Sequence, residues 1–202
     1  KISKDFFTTL AFVSFDDNGD RSFAFSRKPG ADTQLRFDEV DLGMIDDARV
    51  FHFGTLSLTH EPANEATVKT VEYAKSAGKL ISFDPNLREM LWDDLEDARS
   101  AMLWGISQAD IVKISDNEVE FLFNLSPEDG ARHILDSFGA KLVFVTCGAD
   151  GCVFKNRNAV GKVPSLSGIR VIDTTGAGDI FGGSAMWKLL ESGKADMIRM
   201  RH

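Results

Sequence analysis

The sequence predicts an α/β fold, in which helices flank a mostly parallel sheet, with a small antiparallel β unit at its start. From residue 49 onward, short apolar runs alternate with amphipathic stretches of helical length, an order typical of a parallel sheet covered by helices. Before that point, two alternating runs flank an Asn-Gly pair and predict an antiparallel hairpin. With 202 residues, 43% of them hydrophobic and 27% charged, the chain is long enough for one substantial core.

The predicted hairpin pairs residues 8–15 with residues 21–26 through a turn at residues 16–20. Both runs alternate large side chains with small or polar ones, which indicates strands with one buried face. The acidic turn faintly resembles a calcium loop, but no glutamate stands at the closing position, so a hairpin turn is favoured. Because the hairpin fits poorly into the strand–helix order, we expect it to form a small β lid.

The strand–helix units follow in order along the chain. The expected strands are the apolar runs at residues 50–53, 80–83, 111–114 and 142–146. The expected helices are residues 64–77, 93–104, one that begins at 116, and 129–138. Val68, Val71 and Ala74 share one face of the first helix, and Gly78 ends it. Residues 152–155 and 159–163 resemble a hairpin. In such a sheet, ligands bind at the carboxyl ends of the parallel strands.

Charge and composition exclude some classes of partner. The net charge of −8 and the isoelectric point near 5.0 argue against nucleic acid or an acidic membrane, but not against a nucleotide held by local amides and magnesium. No apolar run approaches the roughly 20 residues of a membrane span, and the first residues show no secretory pattern, so we expect a cytoplasmic protein. Cys147 and Cys152 are expected to be small apolar residues of adjoining strands rather than a disulfide or a metal pair.

A glycine turn late in the chain carries the strongest chemical signal. Residues 170–172 are expected to form a strand, residues 174–178 a tight turn, and the next residues a helix whose first turn holds Asp179. The first N–H groups of a helix lack intrahelical partners and lie at the positive end of its dipole, which suits them to an anion. A carboxylate there can accept a proton from a hydroxyl while the amides hold the charge on a phosphate. The alternative is that Asp179 only complements the helix dipole.

The segment after the strand at residues 80–83 is a second candidate. Arg88 offers a planar fork of donors suited to phosphate or carboxylate. The local residues are explained equally well if Asp84 and Asn86 form an Asx-type turn beside a surface arginine.

Three further segments have ordinary structural explanations on their own residues. Ser115 and Glu118 have the spacing of a helix capping box. Residues 146–151 form a glycine turn after an apolar strand, and residues 27–32 form a plain polar loop.

Several of these segments together match the pattern of one enzyme family. Residues 173–179 followed by Phe181 read Asp-Thr-Thr-Gly-Ala-Gly-Asp-x-Phe, residues 83–92 read Phe-Asp-x-Asn-x-Arg with a later Leu-Trp, and residues 27–32 read Arg-x-Pro-x-Ala-Asp. The first resembles the signature of the ribokinase-like sugar kinases, also called the PfkB carbohydrate kinase family. The other two resemble segments of its fructokinase branch. The resemblance spans almost the whole chain and implies a ribokinase-like fold.

The resemblance implies a role for each matching residue. It assigns catalysis to Asp179 as base and to an anion hole made by Gly176, Ala177 and Gly178. It assigns the phosphate and sugar side of the cleft to Asn86, Arg88, Arg27 and Asp32. It assigns the nucleotide to Thr146, Gly148 and Gly151. It assigns magnesium, through water, to Glu118, and a monovalent cation such as K⁺ to Asp173 and Thr175. Ser115 stands where ribokinases usually have asparagine.

The implied activity is an ATP-dependent sugar kinase that transfers the γ-phosphoryl group to a primary hydroxyl, with fructose as the expected acceptor. Rival hypotheses are a kinase of 2-keto-3-deoxygluconate and a non-catalytic paralogue that binds sugar or nucleotide. A dinucleotide-binding interpretation fails because the glycines lie late in the chain and no ribose-binding acid follows in a next strand. The expected partners are the sugar and ATP, with neither nucleic acid nor membrane, and a homodimer formed through the β lid.

The resemblance also predicts how the chain is divided. Residues 1–36 are expected to be part of the β lid and its return, and residues 37–202 the α/β kinase core. Kinases of this family usually begin with a strand and a Gly-Gly-x-x-x-Asn segment, and they continue beyond the helix that carries Asp179. We therefore expect this sequence to be a fragment, or one from which segments were removed.

Overall fold

The computed structural model of the protein describes residues 2–15, 21–27, 30–168 and 171–199. A small antiparallel sheet contains β1, Leu10–Phe15, and β2, Arg21–Ser26, with Val13 opposite Phe23. The turn expected at residues 16–20 lies outside the described residues, as do Lys28 and Pro29. The pairing of the two predicted strands is confirmed.

A second sheet of six strands forms the centre of the fold. Its strands are β3 Val50–Gly54, β4 Leu80–Asp84, β5 Ile111–Ser115, β6 Leu142–Thr146, β7 Cys152–Asn156 and β8 Val160–Val163. They lie side by side in chain order. The first four are parallel, whereas β7 and β8 are antiparallel to their neighbours. The predicted mostly parallel sheet is therefore confirmed, and so is the hairpin at its end.

Five of the seven helices in the described part of the chain occupy positions that the sequence predicts, with shifted ends, whereas the first and the last were not predicted. They are α1 Leu42–Asp47, α2 Ala63–Ser76, α3 Leu95–Gln108, α4 Asp116–Phe123, α5 Pro127–Phe138, α6 Ala177–Glu191 and α7 Lys194–Arg199. The side chain of Asp94 caps α3, and that of Ser126 caps α5 ahead of a proline. Because these caps determine where each helix begins, α3 begins two residues later than the apolar pattern predicts and α5 begins two residues earlier. Among the described residues, no helix is long and apolar enough to cross a membrane.

One face of the large sheet packs against α2, α3, α4 and α5 to form the core. Alternate residues of the strands point into it, and they include Phe53, Ile81, Phe83, Val112, Ile114, Val143 and Val145. The ring of Phe83 is fully buried and lies directly beneath Gly105 of α3, where a Cβ would be 2.2 Å from the ring. This close contact is why α3 has a glycine in its interior.

The opposite face of the sheet carries polar residues near its carboxyl edge. Asp84 of β4 and Lys113 of β5 are both buried there. The start of α6 lies over the same face, because the ring of Phe181 contacts that of Phe144 in β6 at a centroid distance of 5.6 Å. The glycine turn of the sequence is therefore brought to the end of the parallel strands.

One predicted strand is wrong in the part that the structure describes. Residues 169 and 170 lie outside that part, and Val171 and Ile172 belong to no strand. Both side chains are exposed. The two residues have strand-forming side chains, but within the described residues they have no strand partner. A strand is stable only when a neighbour accepts and donates its backbone hydrogen bonds.

Candidate functional site

The carboxyl ends of four parallel strands meet at one edge of the large sheet. Gly54 at the end of β3 lies opposite Asp84, and Ser115 at the end of β5 lies opposite Thr146. Thr55 ties the first two ends together, since its hydroxyl donates to the carbonyl of Pro85 at 2.6 Å. Most of the residues assigned from the sequence lie in the loops that leave this edge.

The glycine turn has the geometry of an anion site. Gly176 adopts φ 77°, a left-handed conformation that favours glycine, and serves as the N-cap of α6. The turn is entered through an Asx-type bend, in which one carboxylate oxygen of Asp173 accepts both the N–H and the hydroxyl of Thr175 at 2.8 Å. Asp179 follows in the first turn of α6 and is exposed. Of the three amides assigned to the anion hole, that of Ala177 donates to the carbonyl of Thr174 at 3.1 Å and closes the turn.

A buried ion pair lies beneath that turn. The ammonium of Lys113 donates to Asp84 Oδ2 at 2.8 Å, and both side chains are about nine-tenths buried. Burial raises the pKa of Asp84, although the neighbouring ammonium of Lys113 opposes that shift. The other oxygen of this carboxylate, Oδ1, is buried without a hydrogen-bond partner among the described residues.

His52 of β3 adds a titratable group to the same cluster. Its Nδ1 lies 3.1 Å from the hydroxyl of Ser82. Burial lowers the pKa of His52, while the carboxylates of Asp84 and Asp179 oppose the shift and the ammonium of Lys113 reinforces it.

Glu118 joins two of the loops at this edge. Its Oε2 accepts the backbone N–H of Ser115 at 2.8 Å and its hydroxyl at 2.9 Å, which completes the predicted capping box of α4. Its Oε1 accepts the N–H of Leu87 at 2.7 Å, in the loop that follows β4. The carboxylate therefore stabilises the start of a helix and also holds the loop that carries Asn86 and Arg88.

That loop presents its polar side chains to a cavity of about 290 Å³, which Glu118 and Lys113 also line. Asn86 adopts φ 48°, a strained conformation for any residue except glycine, although asparagine tolerates it better than most. Arg88 donates to the carbonyl of Leu87 and lies 5.6 Å from the ring centroid of Phe23 in β2. The structure therefore places Asn86 and Arg88 in the cleft, and places Arg88 against the small sheet.

Arg27 and Asp32 are engaged with the protein itself. The guanidinium of Arg27 is buried and donates to Asp32, to the hydroxyl of Thr59 and to the carbonyl of Leu56. Asp32 also accepts a short hydrogen bond from the hydroxyl of Thr9. These contacts join the return of the small sheet to the loop after β3. A role for Arg27 in holding that loop is thus supported directly by its hydrogen bonds.

The glycine turn between β6 and β7 contains the three residues assigned to the nucleotide. The hydroxyl of Thr146 lies 3.5 Å from the carbonyl of Ile114. Gly148 adopts φ 51°, and a Cβ there would meet no atom within 4 Å. At Gly151 a Cβ would lie 2.0 Å from the carbonyl oxygen of Val163. Gly148 therefore borders open space, whereas Gly151 is required for the pairing of β7 with β8.

The donor set fits a magnesium ion that keeps most of its water. Within the described residues, no group of three or more His, Cys, Asp or Glu side chains could enclose a metal. Magnesium is usually bound through one or two carboxylates and substrate phosphates. The carboxylate of Glu118 already accepts three hydrogen bonds, which leaves it suited to contact through water rather than direct ligation.

Sequence reasoning missed Lys113 as a site residue. The sequence pattern identifies it only as a member of an apolar strand, between Val112 and Ile114. A lysine inside an apolar strand of a central sheet is seldom buried without a partner. That anomaly could have indicated a buried pair, but the partner on β4 is defined only by the strand register.

Comparison with known protein families shows which family the chain belongs to. The model of the pfkB family of carbohydrate kinases matches residues 1–199. The chain belongs to that family. Fructokinase-1 of Zea mays is 44% identical over 185 residues, which cover 91% of this chain and 57% of that protein. Probable fructokinase-3 of Arabidopsis thaliana is 43% identical over 91% of this chain and 53% of its own length. The chain thus spans a little more than half the length of these relatives.

Solved structures of pfkB family members share the fold. The fructokinase of Xylella fastidiosa with bound ATP has a TM-score of 0.85 and 32% identity, over 98% of this chain and 63% of that one. The fructokinase of Vibrio cholerae O395 in its fructose-, ADP- and calcium-bound form has a TM-score of 0.77 and 31% identity, over 89% and 58% of the two chains. The ribokinase-like architecture expected from the sequence is confirmed.

The double role of Glu118 generates a first prediction. In wild type, one carboxylate oxygen of Glu118 accepts the N–H of Ser115 and the other accepts the N–H of Leu87. In Glu118→Gln, an NH₂ group must replace one of these two acceptors. We expect a loss of about 1–3 kcal/mol in the free energy of unfolding, measured by denaturant titration. Glu120→Gln on the exposed side of α4 is the control and should change it by less than about 0.5 kcal/mol. Equal losses in the two variants would contradict the bridging role.

Proposed function

We propose that the whole protein is an ATP-dependent sugar kinase that phosphorylates fructose. The observation that carries the proposal is the glycine turn at the start of α6, which exposes Asp179 beside amide donors at the carboxyl edge of the sheet. A phosphoryl transferase needs an anion site next to a base, and this turn would supply both. The fructokinases among its relatives support fructose as the acceptor.

In this proposal the residues of the turn divide the chemistry. Asp179 accepts the proton of the attacking primary hydroxyl. The amides of Gly176, Ala177 and Gly178 bind the charge that develops on the transferred phosphoryl group. Arg88 would add its positive charge from the cavity that Lys113 also lines. Magnesium would neutralise phosphate charge when bound. Glu118 would hold it through water, consistent with the hydrogen bonds that the carboxylate already accepts.

The remaining assignments follow the same cleft. Thr146 and Gly148 would border the nucleotide. Gly151 would hold their turn in place through its close contact with the carbonyl of Val163. Asp173 and Thr175 would offer oxygens to a monovalent cation such as K⁺ beside the anion site. A fructokinase double mutant of V. cholerae O395 in a fructose-, ADP- and potassium-bound form, at 31% identity, supports potassium as the ion. With two free cysteines, the protein would act in the reducing cytoplasm.

The small sheet would act as a lid over the sugar. Arg88 approaches it from the β4 loop, and a cavity of about 560 Å³ lies between Phe23 and Phe25 of β2 and the segment at Met90. Arg27 and Asp32 would fix the return of this lid, which the sequence places within residues 1–36, to the core at 37–202. Within this view their effect on the sugar is indirect.

The exposed side of the lid would pair with a second copy of the protein. Leu10 and Phe12 lie on the side of β1 away from Phe23, and both are exposed. A two-stranded ribbon cannot bury such side chains by itself. A homodimer joined through this surface would cover them.

The fructose assignment is tested by comparing acceptors. We expect the whole protein to show its highest kcat/KM with fructose, above ribose, adenosine and 2-keto-3-deoxygluconate, in a coupled assay of ADP release. The Asp179→Asn variant serves as the blank for ATP hydrolysis without transfer. A higher kcat/KM on any other acceptor would overturn the substrate assignment, and turnover with none would leave the non-catalytic paralogue as the better hypothesis.

The role of Asp179 is tested by the same replacement. Asparagine keeps the size of the side chain but cannot accept the proton, so kcat should fall by about 10²–10⁴ while ATP affinity stays nearly intact. Glu128→Gln is the matched control, because it removes an exposed acid from the first turn of α5. It should cost about 0.3–1 kcal/mol of stability and leave kcat unchanged. If Asp179→Asn behaves like this control, Asp179 only complements the helix dipole.

The dimer is tested by sedimentation velocity of the whole protein. We expect a dimer for the wild type and a shift toward monomer for Phe12→Ser, because Phe12 is 58% exposed on the proposed contact surface. Met44→Ser is the control, since Met44 of α1 is 72% exposed but lies outside the small sheet. A monomeric wild type, or equal behaviour of the two variants, would contradict pairing through the lid.

A further inference from the structure

Lys113 occupies a position that fold stability alone does not explain. Its side chain is buried, and among the described residues its ammonium hydrogen bonds to Asp84. Buried ion pairs contribute little net stability, because the cost of removing two charges from water offsets their attraction. Here the cost is increased, since Oδ1 of the same carboxylate is buried with no partner in the described part of the chain. Apolar residues of similar size would serve the core at least as well.

The other side of the ammonium faces the glycine turn. A Cβ built at Gly178 would lie 2.9 Å from Lys113 Nζ and 3.7 Å from Cε, so the turn rests on the end of the lysine side chain. One turn farther along α6, the ring of Phe181 contacts that of Phe144 in β6. Lys113 is therefore one of the groups that determine how far the turn stands from the sheet.

The sign of the charge points to an anion above the turn. A cation close to the N-terminus of a helix is unfavourable, because that end of the helix already has a partial positive charge. The ammonium of Lys113 therefore repels the N-terminus of α6, and the carboxylates of Asp84 and Asp179 offset that repulsion. A highly charged anion above the turn would gain attraction from both the ammonium and the end of the helix.

We propose that Lys113 is a positioning residue, whose ammonium joins Asp84 at the end of β4 to the glycine turn of α6 and adds its charge to the anion site. The inference rests on the proposed function, which it deepens by assigning the group that sets the turn over the strand ends. Because the lysine lies beneath Gly178, it acts through the turn and not as the base. Loss of the ammonium would leave the turn intact but displaced and less attractive to phosphate.

The test separates stability from turnover through the charge pair. Lys113→Met and Asp84→Asn each leave one buried partner alone and should lower Tm. The double variant Lys113→Met/Asp84→Asn removes both charges, and its Tm should return toward that of the wild type. We expect kcat of the whole protein to stay at least about tenfold low in the double variant and in Lys113→Met, with KM for fructose little changed. Recovery of kcat together with Tm in the double variant would overturn the proposal.

A second pair of variants tests the contact itself, and it does not depend on the role of Asp84. Gly178→Ala should lower kcat in the wild type, because the new Cβ meets Nζ at 2.9 Å. In the Lys113→Met background the same change should have a much smaller effect, since methionine lacks the terminal atom and the next one lies at 3.7 Å. Strong non-additivity supports the contact. Additive effects would mean that Lys113 does not set the turn.

Lys141→Met provides the matched control. Lys141 pairs with Asp110 at 2.8 Å at the amino edge of the sheet, away from the turn. Its loss should lower Tm without changing kcat, and an equal fall of kcat in this variant would assign the effect of Lys113 to general destabilisation. ATP affinity, measured by calorimetry, gives a readout without turnover and should weaken about tenfold in the double variant. If the wild type phosphorylates no sugar, the proposed function fails, and unchanged ATP affinity in the double variant then also overturns the role of Lys113.

Discussion

The parallel pairing of β4 with β3 and β5 positions the buried pair of Asp84 and Lys113, on which the candidate site rests. All five residues of β4 are buried, because helices cover one face and the polar cluster and α6 lie toward the other. Phe83 packs beneath Gly105 on the core side, and the adjacent Asp84 therefore points to the opposite side, where Lys113 meets it. A slip of one residue in this register would bury Asp84 in the apolar core.

The same residues often satisfy a local structural need and a chemical one. Glu118 completes the capping box of α4, yet its second oxygen holds the loop that carries Arg88. Arg27 stabilises a chain return, yet it also joins the small sheet to the loop after β3. Local signals in the sequence identify the first role of each residue. The second role depends on what the fold brings to the other side of the side chain.

The sequence predicted those parts of the fold that depend on neighbours along the chain. The capping box at Ser115, the hairpin of β7 and β8, and the glycine cap of α6 are all local, and the structure contains each of them. The pair of Lys113 with Asp84 joins residues 29 positions apart, so no local pattern could reveal it. The strand expected at residues 170–172 was wrong at Val171 and Ile172. Their side chains favour a strand locally, but local preference cannot supply a partner strand.

Glycine at residue 151 has a consequence for reading variation among related sequences. Its φ of 90° and the 2.0 Å between a built Cβ and the carbonyl oxygen of Val163 leave no room for any side chain. Natural selection would therefore retain this glycine in an active enzyme and equally in a paralogue that had lost its ligand. Gly148 differs, because open space surrounds it and only its left-handed φ of 51°, which asparagine also tolerates, favours glycine there. A substitution at residue 148 in a related protein could therefore indicate that the protein no longer binds a nucleotide. Residue 151 would carry no such information.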